Sequence, residues 1–252
     1  MIIRKSEKEI DAMARAGRVV ADTVALLGEN MRPGVTTKEL DEIAENYIRS
    51  QGGVPAFKGY HGFPASICTS PNSMVVHGIP GPYRVEEGDL ISVDVGVTLG
   101  GFVADSAYTF AVSPIEDETQ RLIEVCQAAL EAGIEQARAG HHVGDISAAV
   151  QRTTEEAGFA VVRSLVGHGI GRSMHEEPQI PNWGEPGRGP QLAPGMTLAI
   201  EPMINAGSSE VVVADDRWSI STDDGSLSAH FEHTVAVTEA QPRILTLAGV
   251  PV

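Results

Sequence analysis

Four segments of the chain carry apolar residues at the three-to-four-residue spacing that is typical of amphipathic helices. In the second segment, Leu40, Ile43 and Ala44 share one face, while Lys38 and Glu42 lie on the polar side. The pattern predicts helices over residues 6–30, 37–51, 117–138 and 143–157. Helices of this kind bury their apolar stripe against another element, which neighbouring strands can provide.

Shorter apolar runs between and after these helices are typical of buried strands. They cover residues 90–98, 102–111, 196–204 and 231–238. Gly100 and Gly101 separate the first two runs and can reverse the chain, so an antiparallel hairpin is expected there. Long amphipathic helices beside antiparallel strands predict the α+β class, with the helices packed on one face of a sheet.

The helical pattern recurs in the second half of the chain, as in an internal repeat. When the chain is shifted by 106 residues, Leu40 falls on Ile146 and Ala44 falls on Val150. The same helical face is therefore apolar in both halves. Chance similarity between two αβ segments is the alternative explanation.

The strand pattern recurs as well. Residues 88–94 align with residues 195–201 at a shift of 107, and both runs lead from a turn into an apolar strand that ends in a carboxylate. Each half also carries His-Gly-Ile, at residues 77–79 and 168–170. The repeat predicts a single domain over residues 1–252 with two pseudo-symmetric halves, roughly 1–115 and 116–252.

Composition and charge narrow the choice of partners. The chain has 18 Lys and Arg against 34 Asp and Glu, a formal net charge of −16, which argues against nucleic-acid binding as the main activity. No apolar run approaches the ~20 residues of a membrane span, and residues 1–7 do not resemble a secretory signal. Cys68 and Cys126 form no metal or redox motif and suit a reducing compartment. We therefore expect a cytoplasmic protein without a membrane or nucleic-acid partner.

Four carboxylates lie in strand-like apolar runs, where an unpaired charge is costly to bury. They are Asp94, Asp105, Glu201 and Glu232. The predicted hairpin would make Asp94 and Asp105 face each other. Carboxylates that are crowded together repel and remain ionised only if cations neutralise them.

His168 is the fifth candidate ligand, because Gly167 and Gly169 on either side of it let the backbone approach a site closely. Four carboxylates and one imidazole form a hard, oxygen-rich set that suits manganese, iron, cobalt or zinc. Four negative charges suit two divalent ions better than one. Each residue alone has an ordinary structural explanation, such as hydrogen bonding in the core, so the prediction depends on the combination.

Four groups of motifs are spread along the whole chain. They are Gly-Phe-Pro-Ala-Ser-Ile-Cys at 62–68 with His-Gly-Ile-Pro at 77–80, Asp-Val-Gly at 94–96 with Asp105, Gly-His-Gly-Ile-Gly-Arg at 167–172 with His-Glu-Glu-Pro at 175–178, and Glu-Pro at 201–202 with Phe-Glu-His-Thr at 231–234. Through these motifs the chain resembles the type I methionine aminopeptidases. The resemblance implies the pita-bread fold, an internally duplicated antiparallel sheet with helices packed on its outer face.

The resemblance also implies a role for each site residue. The ligands of two divalent ions (cobalt, manganese, iron or zinc) would be Asp94, Asp105, His168, Glu201 and Glu232. Asp105 and Glu232 would bridge the ions, and Glu201 would also take part in catalysis. His77 and His175 would be catalytic histidines that do not bind metal.

An apolar pocket for the methionine side chain is implied too. Its walls would be Tyr60, Phe63, Cys68 and Trp218. Phe57 and Met174 occupy pocket positions where some relatives have Cys and Phe. This departure affects the size of the pocket and leaves the reaction unchanged.

The implied activity is metal-dependent hydrolysis of the first peptide bond, which removes the initiator methionine from nascent polypeptides when the second residue is small. Nascent amino termini would be the substrates, and a transient contact with the ribosome is left open. One alternative is a proline-specific aminopeptidase or dipeptidase of the same fold, which usually carries an extra amino-terminal domain. Another is a metal-free binding protein on this scaffold, which would have lost ligands.

Overall fold

The computed structural model describes residues 1–247 of the chain. The four predicted helices are present as α1 (Glu7–Asn30), α2 (Thr37–Ser50), α3 (Asp117–Gln136) and α4 (Val143–Glu156). The prediction for α3 was too long by two residues at its end, since Ala137 leaves the helical conformation. None of the helices within residues 1–247 is long and apolar enough to cross a membrane.

The strands of this part of the chain are short apart from one hairpin. They are β1 (Val54–Pro55), β2 (Cys68–Pro71), β3 (Met74–Val76), β4 (Leu90–Leu99), β5 (Phe102–Ala111), β6 (Ala160–Val161), β7 (Val166–Gly169), β8 (Glu176–Pro181), β9 (Thr197–Ile200), β10 (Met203–Asn205), β11 (Val211–Val213), β12 (Ile220–Thr222), β13 (Ser228–His230), β14 (His233–Ala236) and β15 (Arg243–Ile244).

All strand pairs within residues 1–247 are antiparallel, and they form four hydrogen-bonded sheets. Strand β4 lies between β1 and β2 on one side and β5 on the other, and β9 lies between β14 and β7 in a five-stranded sheet. Two smaller sheets have the orders β13-β10-β6 and β11-β12-β3. The β4–β5 pair is the predicted hairpin.

The duplicated plan is confirmed by the strand register. Helices α2 and α4 have 14 residues each and begin 106 residues apart. Val54 pairs with Thr98 between β1 and β4, and Ala160 pairs with Asn205 between β6 and β10. These partners differ by 106 and 107 residues, the two shifts found in the sequence. The two halves therefore repeat the same helix and the same strand pairing.

The two His-Gly-Ile segments do not occupy equivalent positions in the two halves. His168 lies in β7 and pairs with Ala199 of β9. By the same register, its counterpart in the first half is Ser70 of β2, which pairs with Ser92 of β4. His77 lies in the loop after β3, outside any strand. A shared tripeptide did not identify the equivalent position because strand register depends on long-range pairing.

Two predicted strands are interrupted. The run 196–204 divides into β9 and β10 at Glu201 and Pro202, and the run 231–238 is reduced to β14. Proline has no backbone N–H to donate to a ladder, which explains the first break. Glu232 lies between β13 and β14, where the backbone leaves one sheet and enters another.

Strand alternation decides which face of the sheet carries the polar residues. Val93 and Val95 of β4 are fully buried in the core beneath α1 and α2. In the second half, Leu198 and Ile200 of β9 are buried in the core that includes α3 and α4. Because successive side chains point to opposite faces, Asp94 is directed away from the helices. The helices thus cover the outer face, as predicted, and leave the inner face for a site.

Candidate metal centre and substrate pocket

A pocket of about 350 Å³ opens on the inner face of the sheets. All the residues predicted for the site line it: Phe57, Tyr60, Phe63, Cys68, His77, Asp94, Asp105, His168, Met174, His175, Glu201, Trp218 and Glu232. They come from both halves of the chain and from strands and loops. The structure therefore brings the whole predicted set together in one cavity.

The β4–β5 hairpin supplies the two aspartates. Asp94 pairs with Ala107, and Asp105 pairs with Gly96. The two carboxylates are therefore diagonal neighbours on the same face and not directly opposite each other, which corrects the sequence expectation. Gly96 leaves room between them and the pocket wall, since a Cβ there would lie 2.8 Å from the Met174 side chain.

The two glutamates come from the interruptions in the strands. The backbone carbonyl of Glu201 accepts a hydrogen bond from Asn182 Nδ2 at 3.0 Å. The backbone N–H of Glu232 donates to the carbonyl of Ala107 at 3.0 Å. These bonds fix the backbone at both breaks, and they hold Glu232 beside the β5 strand that carries Asp105.

His168 offers a ring nitrogen to the same place. Its Nδ1 lies 2.9 Å from the carbonyl of Gly169, so Nδ1 carries the proton and the Nε2 lone pair faces the carboxylates. Nε2 lies 3.5 Å from Glu201 Oε1. One ligand atom each of Asp105, His168 and Glu232 lies within 4.8 Å of the others, and all three residues are buried.

Three of the carboxylates each have one buried oxygen without a hydrogen-bond donor within residues 1–247. Within residues 1–247, no hydrogen-bond partner reaches Asp94 Oδ1, Asp105 Oδ1 or Glu232 Oε1. Burial raises the pKa of Asp105 and of Glu232 well above the usual range, and repulsion from the neighbouring carboxylates raises both further. Buried oxygens without donors, together with a neutral imidazole, form a donor set that fits divalent metal ions.

Comparison with known proteins agrees with this chemistry. Residues 11–239 match the model of metallopeptidase family M24. A methionine aminopeptidase of Clostridium perfringens is 52% identical over 98% of this chain and 99% of that relative. The chain belongs to family M24, among its methionine aminopeptidases. Divalent metal use follows from membership of this metallopeptidase family.

Solved structures of the family share the fold. The crystal structure of methionine aminopeptidase from Rickettsia prowazekii has a TM-score of 0.97 and 41% identity, and covers 98% of this chain and 100% of that chain. Prolidase from Pyrococcus furiosus has a TM-score of 0.78 at 22% identity, and the match covers 98% of this chain and 66% of that chain. The prolidase shares the fold alone. The predicted pita-bread fold is confirmed.

Two further histidines line the same pocket of this M24 member. His175 follows β7 in the loop before β8, and its ring centroid lies 4.3 Å from that of His168. The Tyr60 hydroxyl lies 2.7 Å from His175 Nδ1. His77 has a left-handed backbone (φ 59°), and burial lowers its pKa to about 4, with a smaller effect of His230. His77 is therefore neutral at pH 7.

The apolar wall of the pocket consists of aromatic and sulfur-containing side chains. Phe63 and Trp218 pack edge to face, with ring centroids 5.1 Å apart. Cys68 of β2 pairs with Asp94 across the ladder, so this wall directly adjoins the carboxylates. Burial raises the pKa of the Cys68 thiol well above its usual range, which keeps it neutral. Met174 is buried and lines the pocket beside Gly96.

Sequence reasoning missed two residues at this centre. His61 lines the pocket between Tyr60 and Phe63. His230 is buried, and its Nε2 lies 3.6 Å from Glu201 Oε2. The signal for His230 was its place two residues before Glu232, since His230 ends β13 and Glu232 lies in the interruption that follows.

A neutral isostere at the centre should stabilise the metal-free protein. The folded-state pKa of Asp105 is raised, so its ionisation opposes folding above the pKa of about 3.9 that an unfolded Asp has. We expect Asp105→Asn to be more stable than wild type by about 1–3 kcal/mol at pH 8, with the difference shrinking toward pH 4. Urea denaturation in excess chelator measures both values.

The exposed Asp215 provides the control, because Asp215→Asn should leave stability unchanged at both pH values. A less stable Asp105→Asn protein at pH 8, or a gain that does not change with pH, would contradict the crowding of carboxylates at this centre.

Proposed function

We propose that this protein is a metal-dependent aminopeptidase that releases amino-terminal methionine from polypeptides whose second residue is small. The observation that supports this most strongly is the contact between two unlike surfaces. Buried carboxylates with oxygens that lack hydrogen-bond donors form the floor of the pocket together with His168. An apolar wall with Phe63 and Trp218 adjoins them. Such a wall suits a thioether side chain held beside a hydrolytic centre.

The metal ligands that we propose are the five residues named from the sequence. Asp94, Asp105, His168, Glu201 and Glu232 would hold two divalent ions, with Asp105 and Glu232 shared between them. The ions could be manganese, iron, cobalt or zinc, since all accept carboxylate and imidazole ligands. When bound, they would lower the pKa of a water and polarise the scissile carbonyl.

His175 is proposed to donate a hydrogen bond to the oxygen that becomes negative during hydrolysis. Burial raises the pKa of Tyr60, so its hydroxyl stays protonated and can donate to His175 Nδ1. Nε2 of His175 then carries the proton and is available as a donor beside His168. A preorganised donor at this place stabilises the developing charge.

Glu201 and His77 are proposed to handle the proton and the leaving group. Burial raises the pKa of Glu201 to about 7, and the nearby His168 opposes this rise. A carboxylate placed beside the scissile bond can accept a proton and pass it on to the leaving amine. Neutral His77 would hold the amide nitrogen or the backbone of the second residue.

The substrates that we propose are the amino termini of nascent polypeptides. We propose that the protein encounters them in the cytoplasm and that it contacts the ribosome transiently. Both halves of the chain, roughly 1–115 and 116–252, supply residues to the pocket. We therefore propose that they act as a single catalytic domain over residues 1–252.

The size rule for the second residue tests this function directly. We expect Met-Ala-Ser to be cleaved at least about tenfold faster than Met-Ile-Ser by the metal-loaded protein. A large or β-branched second side chain would push the scissile carbonyl out of place, and a displacement near 1 Å can cost ~10²-fold in rate. Released methionine, measured at equal peptide concentrations, gives the ratio.

An Ala-Pro peptide separates the proposal from its main alternative. Cleavage of Ala-Pro without cleavage of Met-Ala-Ser would indicate a proline-specific enzyme. Metal binding without hydrolysis of any peptide would indicate a binding protein. Equal rates for the alanine and isoleucine peptides would reject the size rule and leave a general metalloaminopeptidase.

A further inference from the structure

A lysine near the start of the chain is buried although it does not line the pocket. Among residues 1–247, Lys5 is the only lysine or arginine that is buried. Its Nζ lies 2.6 Å from Glu176 Oε2, and the two side chains are only 3% and 8% exposed. A buried ammonium group is costly unless it is paired, so this contact fixes both residues in place.

The other oxygen of Glu176 holds the loop that leads to the pocket. Oε1 accepts hydrogen bonds from the backbone N–H of Arg172 at 2.8 Å and of Ser173 at 3.2 Å. These amides belong to the connection between β7 and β8, which also carries Met174 and His175. One carboxylate therefore links Lys5 to the loop that presents His175.

The surroundings are shaped to receive Lys5. A Cβ on Gly171 would lie 2.4 Å from Lys5 Cε, so the lysine side chain fills the space above that glycine. The backbone N–H of Lys5 donates to the carbonyl of Gly195 at 2.6 Å. Arg172 also binds Glu9 of α1 at 3.1 Å. The amino-terminal segment is thus attached to the loop by side-chain contacts and to the turn before β9 by a backbone hydrogen bond.

We propose that Lys5 and Glu176 are positioning residues for His175, an inference that rests on the proposed function. His175 is itself exposed at the pocket mouth, and the Tyr60 hydroxyl is the hydrogen-bond partner of its ring within residues 1–247. It directly precedes Glu176 in the chain, so the Lys5–Glu176 pair sets where its backbone lies. A donor to a developing charge loses its effect when it moves by about 1 Å.

The test compares Lys5→Met with the matched control Lys8→Met, since Lys8 is exposed on α1. With Met-Ala-Ser and metal-loaded protein, we expect Lys5→Met to lower kcat by about tenfold or more, with KM within about twofold of wild type and unchanged metal content. Lys8→Met should match wild type. In a His175→Ala background, Lys5→Met should cause no further loss, because both changes remove the same contribution.

A second variant covers the case in which an unpaired Glu176 prevents folding. Lys5→Met/Glu176→Leu replaces the buried pair by apolar groups, which is often neutral for stability. We expect this protein to melt near the wild-type temperature and still to lose kcat by about tenfold or more. With all proteins metal-free, hydrogen exchange in the peptide covering residues 170–176 should be faster in Lys5→Met/Glu176→Leu than in wild type and in Lys8→Met.

Wild-type kcat in either Lys5 variant would overturn the inference. It would also be overturned if Lys5→Met lowered kcat by the same factor in the wild-type and in the His175→Ala background. Unchanged hydrogen exchange in the loop would overturn it independently of activity. Failure of the proposed function gives a different result, because wild type itself would then release no methionine from Met-Ala-Ser.

Discussion

Exhaustive removal of metal should abolish release of methionine from Met-Ala-Ser, and Mn²⁺ or Co²⁺ should restore it. The reason is the group of buried carboxylate oxygens on Asp94, Asp105 and Glu232 that no donor satisfies within residues 1–247. Without cations these carboxylates repel one another. The hydroxide that attacks the peptide bond is also lost, because a bound metal ion is what lowers the pKa of the attacking water. Activity before chelation, after it and after reconstitution gives the result, with metal content determined at each stage.

Metal should also stabilise the folded protein. A ligand present at 100 times its Kd adds about 2.7 kcal/mol, which for a chain of this size corresponds to a rise in Tm of roughly 5–10 °C. Glu232→Gln is the control variant, because the loss of a buried ligand should remove most of this rise. Full activity in thoroughly stripped protein, or an identical Tm with and without metal, would disprove a metal centre here.

His175→Ala should lower kcat by roughly 10²–10³ while metal content stays at the wild-type level. This loss is the size expected when one donor to a developing oxyanion is removed. With the Tyr60 hydroxyl 2.7 Å from Nδ1, Nε2–H of His175 is the donor that we propose. Steady-state kinetics together with metal analysis of the purified variant provides the measurement.

His168→Ala is the matched comparison, because the two rings lie only 4.3 Å apart and differ in their environments. His168 is buried among the carboxylates and should lose metal on substitution, whereas His175 lies at the mouth of the pocket. Equal loss of metal from both variants would show that our division into a ligand and a non-ligand histidine is wrong.

The four carboxylates of the site could be predicted from the sequence because carboxylates are rare in buried strands, whereas His77, His175 and the pocket wall were implied by the family resemblance. Asp94 and Asp105 are charged residues within apolar runs, and His168 lies between two glycines. Every residue predicted for the site lines the pocket. The roles of these residues, the number of ions and the identity of the metal stay predictions.

Some features of the centre had no local signal. The run 196–204 reads as one strand, yet it divides at Glu201 and Pro202 between two sheets. His61 and His230 face the centre although neither belongs to the ligand set suggested by the sequence. Their positions depend on which strands pair and on where the backbone leaves a sheet.

The sequence by itself determined the helices and the duplicated plan of this protein. Apolar spacing is a local property, and so is the capping box at Thr36 and Glu39, where each residue satisfies a backbone N–H of the other. Four helices could therefore be placed within about two residues. The repeat was visible because the same local patterns occur twice.

Only the tertiary structure decided how distant parts meet. It set the diagonal register of Asp94 and Asp105, and it placed the two His-Gly-Ile segments at positions that are not equivalent. It also paired Lys5 with Glu176, which are 171 positions apart. A buried ion pair of this kind cannot be predicted from the spacing of apolar residues in either segment, because it forms only after packing has removed both groups from water.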